Sequence, residues 1–498
     1  MRCIVRSCCV LAFVLLGGCT MMPNYNRPVL PVNEQWPGHS EAGVADKDAA
    51  VTAPWREFFA DSTLVRLIET ALANNRDVRA ALHTIEKVRA QYYIQRADLL
   101  PTINAVGGAS GQYVNRHSSP AGSPYVSHQY SANVGFTAFE LDLFGRIRSL
   151  NESALQQFLA TEEAARSIQV ALVGEVVGAY LNLTSNKEIL ELSKSTYANR
   201  RSFYELIKRK ADMGLASQLE VNQAQTIMEE ARINAATYET RVAQGLNALV
   251  FLLGTEIPSD VTMANMLSEI KQLPDLKPGM PSDLLNRRPD IRSAERRLQA
   301  VNANIGAARA NFFPRISLTS NIGTLAPHFD QLFSSGAGSW LFQPQAAVPL
   351  FDTGRNWAAL RATEAERDVA VATYEKAVQS AFREVADALS QRANIGEQLN
   401  AQRSLLQATH ATYTLSAKRH EIGIDSFINV LDAQRSYFNA QQAYINTVLL
   451  RESNTLNLYK ALGGGWDEVE LEKLQKMEHA AMASSAHVGG QPVDATQE

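Results

Sequence analysis

Two hydrophobic periods alternate along this 498-residue chain, and their order predicts its elements. Val371, Tyr374, Val378, Ala381, Val385 and Ala388 recur at spacings of three and four residues. Such a stripe is the seam of a helix packed against others in coiled-coil fashion. Proline is absent from 125 to 257 and from 350 to 491, as long helices require. The pattern gives two helices of equal length, 146–213 and 355–422, each about 102 Å long at 1.5 Å per residue. Shorter helices are expected at 217–253, 426–462, 282–313 and 62–99. By length, 217–253 stacked on 282–313 matches one long helix, and 426–462 stacked on 62–99 matches the other.

Before each long helix the period falls to two. RISLTSNIG (315–323) sets Ile316, Leu318, Ser320 and Ile322 against Arg315, Ser317, Thr319 and Asn321. YSANVGFTA (130–138) alternates in the same way, while TINAVGGASGQY (102–113) and WLFQPQAAV (340–348) are noisier. Pro344 suits only an edge or a bulge of a sheet. Polar-and-apolar segments of this length, joined by loops such as SSPAGSP (118–124), suit membrane β-barrel strands; the alternative is a soluble hairpin. Four strands cannot close in lipid, where an open edge is forbidden. Two copies would give a side-chain-filled barrel of eight strands and three copies a wider one of twelve, so a homotrimer is the smallest assembly that closes around an aqueous lumen.

The chain is also written twice. DVRAALHTIEKVRAQYYIQRADLLP (77–101) aligns without gaps to DIRSAERRLQAVNANIGAARANFFP (290–314) at an offset of 213. From FGR (144–146) and TGR (353–355) onward the offset is 209, and it holds to Leu253-Gly254 and Leu462-Gly463. GLASQLEVNQAQ (214–225) and GIDSFINVLDAQ (423–434) are one such pair. Gly214 and Gly423 end the long helices in the left-handed conformation that glycine tolerates. Ser217 with Glu220 has capping-box spacing, and Ser426 with Asn429 is a weaker copy. Both stretches are therefore read as helix-hairpin tips.

Composition changes the picture mainly by exclusion. The formal net charge is −4, so no basic field exists to draw nucleic acid. All four cysteines, Cys3, Cys8, Cys9 and Cys19, lie at the start, which leaves the body of the chain without a disulfide framework or cysteine metal cluster. In MRCIVRSCCVLAFVLLGGCT, Arg2 and Arg6 precede an apolar run too short to span a bilayer. Leu16-Gly17-Gly18-Cys19 then resembles the lipobox of bacterial lipoproteins, whose cysteine is acylated and becomes the mature N-terminus. Acyl chains on Cys19 would anchor the protein at about 0.8 kcal/mol per buried methylene. An ordinary signal peptide with a chance cysteine is the alternative. Thr20, rather than aspartate, points in such lipoproteins to the outer membrane. The resulting division is a signal peptide (1–18), a proline-rich lipidated tether (19–60), a first repeat (61–254), an insert (255–281), a second repeat (282–465) and a flexible tail (466–498).

RRPDI (287–291), FFPRISL (312–318), LDLFGR (141–146), LFDTGR (350–355), LDAQRS (431–436) and YKALGGGW (459–466) resemble the TolC/OprM-like outer-membrane factors, lipoprotein branch. The resemblance implies an α+β membrane protein. Its four strands per chain would join a trimeric twelve-stranded barrel, continued by a long antiparallel α-helical barrel in the periplasm. It implies an efflux duct docked to a periplasmic adaptor (membrane fusion protein) and an inner-membrane pump, commonly of the resistance-nodulation-division class. The adaptor would contact the tips at Gly214, Leu215, Ser217, Gly423, Ile424 and Ser426. By the same resemblance Asp432 lines the closed periplasmic end, and Asn429 stands where some members carry a second aspartate. Gln223 replaces Asp432 in the first half, leaving a ring of three carboxylates. The plain alternative for Asp432 is a carboxylate near a helix N-terminus, where the macrodipole favours it by about 0.3–1 kcal/mol.

No catalytic constellation emerges: H-E-x-x-H, G-x-S-x-G and P-loop patterns are all missing, and no cofactor is expected. His420-Glu421 is read either as a metal pair or as a solvated helix end. Outside efflux, two readings fit the helices: a lipid-anchored coiled-coil scaffold without a pore, and an exit duct for polypeptide secretion.

Overall fold

A computed structural model describes residues 20–29, 32, 54–274, 276, 284–464, 466 and 471–477. In chain order the elements are α1 (Trp55–Phe58), α2 (Ser62–Asn74), α3 (Arg76–Ala97), β1 (Asn104–Val114), β2 (Tyr125–Leu141), α4 (Arg146–Asp212) and α5 (Gln218–Leu253). Then follow α6 (Leu284–Arg287), α7 (Pro289–Ala310), β3 (Arg315–Ala326), β4 (Gly338–Ala347), α8 (Arg355–Glu421), α9 (Phe427–Ala461) and α10, residues 471–477. The two long helices each span 67 residues, one short of the predicted length. Aspartates explain where they begin. Asp142 accepts hydrogen bonds from the Ile147 and Arg148 amides, and Asp352 from those of Gly354 and Asn356. One window of α4 is apolar enough to cross a membrane, but 61% of it is buried inside the protein. Leu172, Val173, Val176, Val177 and Leu181 make it a core helix.

Two predicted helices are broken. The stretch 62–99 divides at Asn75, whose backbone is extended (φ −62°, ψ 134°). Its Oδ1 accepts from the Asp77 and Val78 amides at 2.8 and 3.2 Å, capping α3, as a side chain able to replace a backbone acceptor does. The stretch 282–313 is α7 alone, preceded by the single turn α6, because Pro289 has no N–H and suits only a first helical position. The stacking partners are also exchanged relative to the length match. Asn75 Nδ2 donates to the Leu252 carbonyl at 3.0 Å, so α5 ends on the start of α3. Arg288 Nη1 donates to the Ala461 carbonyl at 3.0 Å, so α9 ends on the start of α7. In each half the returning helix thus ends on that half's own short helix. Asn75→Ala removes cap and joint together and is expected to cost about 1–2 kcal/mol. Thermal unfolding should show it, with Asn75→Asp, which keeps only the cap, recovering part.

The sheet is antiparallel with strand order β1-β2-β3-β4, so β1 and β4 are its edges and Pro344 lies on an edge strand. β2 starts earlier than its alternation suggests and shifts register between Phe136 and Phe139, where Ala138 has a φ of 53°. Its extra residue explains why strict alternation fails there. Registers align side chains in rows across the sheet. Ala105, Val134, Ile322 and Trp340 form one row. The next, pointing to the opposite face, is Val106, Asn133, Gly323 and Ser339.

Contacts group the chain into two compact units that cross both halves. One holds Met1–Val29, Ile85–Glu162 and Ser293–Glu375; the other holds Leu30–Thr84, Glu163–Arg292 and Lys376–Glu498. In the first unit, residues 20–29 lie along α7. Arg27 makes a bidentate pair with the buried Glu295 at 2.8 and 2.7 Å, and Tyr25 Oη donates to the same carboxylate at 3.1 Å. Burial and that carboxylate push the Tyr25 phenol above its ordinary range. A Cβ at Gly145 would stand 3.1 Å from Thr20 Cα, so Thr20 sits at the boundary between β2 and α4.

In the second unit the insert packs through Leu267, Ile270, Leu273 and Leu276. It is tied to α4 by Tyr180 and Glu188, to α9 by Glu452, and to α8 by Arg392, which donates to the Leu276 carbonyl. Part of the segment predicted as a flexible tail is packed. Leu471 and Leu474 of α10 are buried, and the Trp466 indole lies 5.3 Å below the guanidinium carbons of both Arg166 and Arg292.

Candidate functional site at the helix-hairpin tips

Both tips form by the same backbone device. Gly214 and Gly423 take φ of 75° and 78°. At the first tip the Leu215 amide donates to Lys210 O at 2.8 Å and the Gly214 amide to Ala211 O at 2.9 Å; at the second, Ile424 donates to Arg419 O and Gly423 to His420 O at the same distances. This is a Schellman ending, which satisfies the last carbonyls of a helix while turning the chain. No atom lies within 4 Å of where a Cβ would stand on either glycine, so conformation, not crowding, calls for glycine here.

The tips then diverge. At the first, the capping box is complete: the Glu220 amide donates to Ser217 Oγ at 3.3 Å and the Ser217 amide to Glu220 Oε2 at 2.7 Å. At the second, Ser426 makes no side-chain cap. An Arg419–Asp425 clamp replaces it, with Nε and Nη2 on the two carboxylate oxygens at 2.8 and 3.0 Å. In the first half these positions are Lys210 and Ala216, so the clamp has no counterpart. His420 Nδ1 lies 3.0 Å from the Asp425 carbonyl oxygen, which assigns this histidine to the turn. The Arg419 guanidinium holds the Asp425 carboxyl below the usual aspartate range. A depressed folded value means the clamp's stabilisation is present above the unfolded pKa and is lost as pH falls through the folded one. Exchange of the Ile424 amide, corrected for its intrinsic rate, should therefore stay slow from pH 7 to the ordinary aspartate range and rise only below it. Asp425→Asn should exchange fast at pH 7.

Between the tips lies a small core. Ile207, Val221, Ala224, Phe427 and Leu431 are buried together, with Phe203 stacked on Phe427 at 4.9 Å between centroids. Arg200 is buried above it and donates to the Ile227 carbonyl at 2.8 Å, while Glu230 lies 3.9 Å away. Burial pulls the Arg200 guanidinium below its ordinary value, Glu230 opposes this, and Arg435 nearby adds to it.

Asp432 and Asn429 stand exposed on the first turns of α9. Asp432 is paired to Arg435, whose Nη2 lies 3.0 Å from Oδ1. The carboxylate is therefore partly compensated by its own chain, which the sequence reading did not anticipate. Both side chains are more than half exposed, and such an i,i+3 pair contributes about 0–1 kcal/mol, weak enough to exchange partners.

The tips also carry six large exposed apolar side chains. Met213, Leu215 and Leu219 are 66%, 73% and 66% exposed; Ile422, Ile424 and Ile428 are 70%, 59% and 44% exposed. Position by position, the second triad is the first displaced by 209 residues. Only Leu215 and Ile424 had been singled out from sequence. The signal for the rest was an apolar residue just before each C′ glycine and another at the second helical position, where a capped turn would keep it from the core.

The model of the family described as outer membrane efflux protein matches residues 67–255 and 280–464. The chain belongs to that family. This efflux protein is 48% identical over 465 residues to the Pseudomonas putida proteins named antibiotic efflux pump outer membrane protein ArpC and toluene efflux pump outer membrane protein TtgC. Each match covers 93% of this chain and 96% of the relative. The open-state MtrE outer membrane channel of Neisseria gonorrhoeae is 34% identical, with a TM-score of 0.81 covering 90% of this chain and 98% of that one. The efflux protein is accordingly an outer-membrane component of an efflux pump, of a family defined by transport and not by catalysis.

Proposed function

We propose that three copies of this efflux protein close a twelve-stranded barrel, continued by a helical tunnel, that serves as a passive exit duct. The observation that carries the reading is the sheet. Its order leaves β1 and β4 without partners in one chain, and lipid does not tolerate unpaired edges. One of its faces bears Val134, Ile322 and Trp340, which are 50%, 70% and 77% exposed, in a row flanked on the other face by Val106, Asn133, Gly323 and Ser339. A more apolar outer face over an inner one that is mostly small or polar is what a lipid-embedded, water-filled barrel needs. Two similar halves per chain would give a trimer six similar helical hairpins.

Cys19 lies outside the described residues, and its lipidation belongs to the proposal. In support, Thr20, the first described residue after it, is packed against Gly145, four residues beyond the end of β2 at Leu141. A periplasmic adaptor would dock on the paired triads around Gly214, Leu215, Ser217 and Gly423, Ile424, Ser426, and couple the duct to an inner-membrane pump of the resistance-nodulation-division type. Exposed clustered apolar residues on a polar rim are the mark of such a surface.

Asp432, with Asn429 one turn before it, would line the constricted tunnel mouth. Arg435 moderates its charge, and opening would separate the second hairpin from the first across Phe203 and Phe427. The cargo is set by the pump: relatives equally similar to this chain are named for antibiotics and for toluene. In planar bilayers the wild type is expected to conduct weakly and to be blocked by divalent cations, and Asp432→Ala should raise conductance or abolish the block. Unchanged behaviour in both respects would remove Asp432 from the gate.

A further inference from the structure

Two loops join strands directly, 115–124 between β1 and β2 and 327–337 between β3 and β4, and both lie at the end of the sheet away from α3, α4, α7 and α8. They differ in kind. The β1–β2 loop reads NRHSSPAGSP and has no large apolar side chain. The β3–β4 loop reads PHFDQLFSSGA, and in it Phe329, Leu332 and Phe333 stand at i, i+3 and i+4, the spacing of one helical face. The backbone follows the pattern: Phe329–Gln331 is a single 3-10 turn, and Leu332 extends it with φ −56° and ψ −35°.

Hydrogen bonds hold this loop in shape. The Leu332 amide donates to Phe329 O at 3.2 Å, the Ser334 amide and hydroxyl both donate to Gln331 O at 3.0 and 2.7 Å, and the Leu325 amide donates to Ala337 O at 2.8 Å. Ala326, Leu332 and Ala337 are buried. Phe329 and Phe333 are left 70% and 79% exposed. The Phe329 ring meets Tyr130 edge-on, with centroids 5.7 Å apart and planes at 71°. Tyr130 precedes Val134 by four residues on β2, ahead of the register shift, so both point to the face that bears Ile322 and Trp340. The turn therefore leans on the more apolar face of the sheet, not on that of Asn133 and Ser339.

We propose that this turn is a lipid anchor: Phe329 and Phe333 insert among acyl chains at the rim of the apolar face and hold the β3–β4 loop against the bilayer. Aromatic side chains gather at the rims of membrane barrels, where an apolar ring is favoured over full exposure to water. Asp330, Gln331, Ser334 and Ser335 are exposed and supply the water side that an interfacial turn needs. The anchor rests on the reading that the apolar face meets lipid, and it makes this loop, unlike the β1–β2 loop, part of the membrane-embedded surface.

The test places a nitroxide on single introduced cysteines in the full chain, reconstituted in vesicles of phosphatidylethanolamine and phosphatidylglycerol. The native cysteines all lie in residues 1–19, so unsubstituted protein treated with the same label supplies the background. Relaxation of the nitroxide by oxygen, which concentrates among acyl chains, is compared with relaxation by a water-soluble nickel chelate. Labels at Phe329→Cys and Phe333→Cys, each leaving the other phenylalanine in place, should respond more to oxygen, and Ser335→Cys more to nickel. Ile322→Cys reports the lipid face of the sheet separately. An oxygen response at Ile322 with a nickel response at both phenylalanine positions would overturn the anchor and leave the duct standing. A nickel response at Ile322 would remove the lipid-facing sheet, and the anchor with it. Shielding of both phenylalanine positions from both reagents would assign them to a neighbouring chain and overturn the anchor. So would an oxygen response at Ser335 equal to theirs, because the turn would then have no water side.

Discussion

Replacing Leu215 and Ile424 together with aspartate is expected to abolish efflux while leaving the amount of protein in the outer membrane unchanged. Both side chains are more than half exposed, so the folded chain loses little by the change. A partner that buries them loses about 1.5–3 kcal/mol for each such side chain and must in addition dehydrate a carboxylate. Because the triads recur at both tips, the penalty is met twice per chain. Retention of a fluorescent substrate, in cells supplying the cognate adaptor and pump, should rise to the level of cells lacking the outer-membrane component. The conservative pair Leu215→Met and Ile424→Leu should export normally. Normal export by the aspartate variant would mean that the tips are not the docking surface.

A second large effect is expected far from the tips. The Glu163 side chain is only 5% exposed and carries two guanidiniums, Arg166 at 2.6 Å and Arg292 at 2.7 Å. Those two guanidiniums in turn stack on Trp466. Glu163→Ala leaves two cations side by side over an indole, with their shared counter-charge gone. Breaking a buried pair by removing one partner costs about 3–5 kcal/mol, and this is the stability loss expected from thermal unfolding followed by circular dichroism. Trp466→Ala, which removes only the cation–π contacts and one hydrogen bond to Arg287 O, should cost about 1–3 kcal/mol. Equal losses for the two variants would place the energy in the indole and not in the carboxylate.

Much of this architecture was legible because its determinants are local. The long helices end within a residue of their predicted bounds, since Gly214 and Gly423 terminate them by a conformation that few other residues adopt. Ser217 and Glu220 form the expected capping box because both partners lie within one turn. Asn75 and Pro289 were also local signals, an N-cap side chain and an imino nitrogen, and they break helices that periodicity alone runs through. The exchange of stacking partners was not legible in the same way. The two returning helices were read as equal in length, so length matching could not say which short helix each one meets; the Asn75 and Arg288 hydrogen bonds decide it. The bulge at Phe136–Phe139 hid for a related reason, since one extra residue reverses the alternation used to find the strand.

At the tips, residue types were readable and pairings were not. Asp432 stood out by resemblance, but its partner Arg435 and the clamp of Arg419 on Asp425 depend on side chains meeting around a turn. Phe427 was indistinguishable in sequence from any other apolar residue at the second tip. Only its stacking on Phe203 of the other hairpin shows that the two tips share a core.

The most direct test is the mass of the intact particle in a gently solubilised preparation, read by native mass spectrometry. Three full chains per particle, with no populated monomer at working concentration, is the expected result. A population made only of single chains would contradict the duct, because one sheet with two open edges cannot enclose a pore.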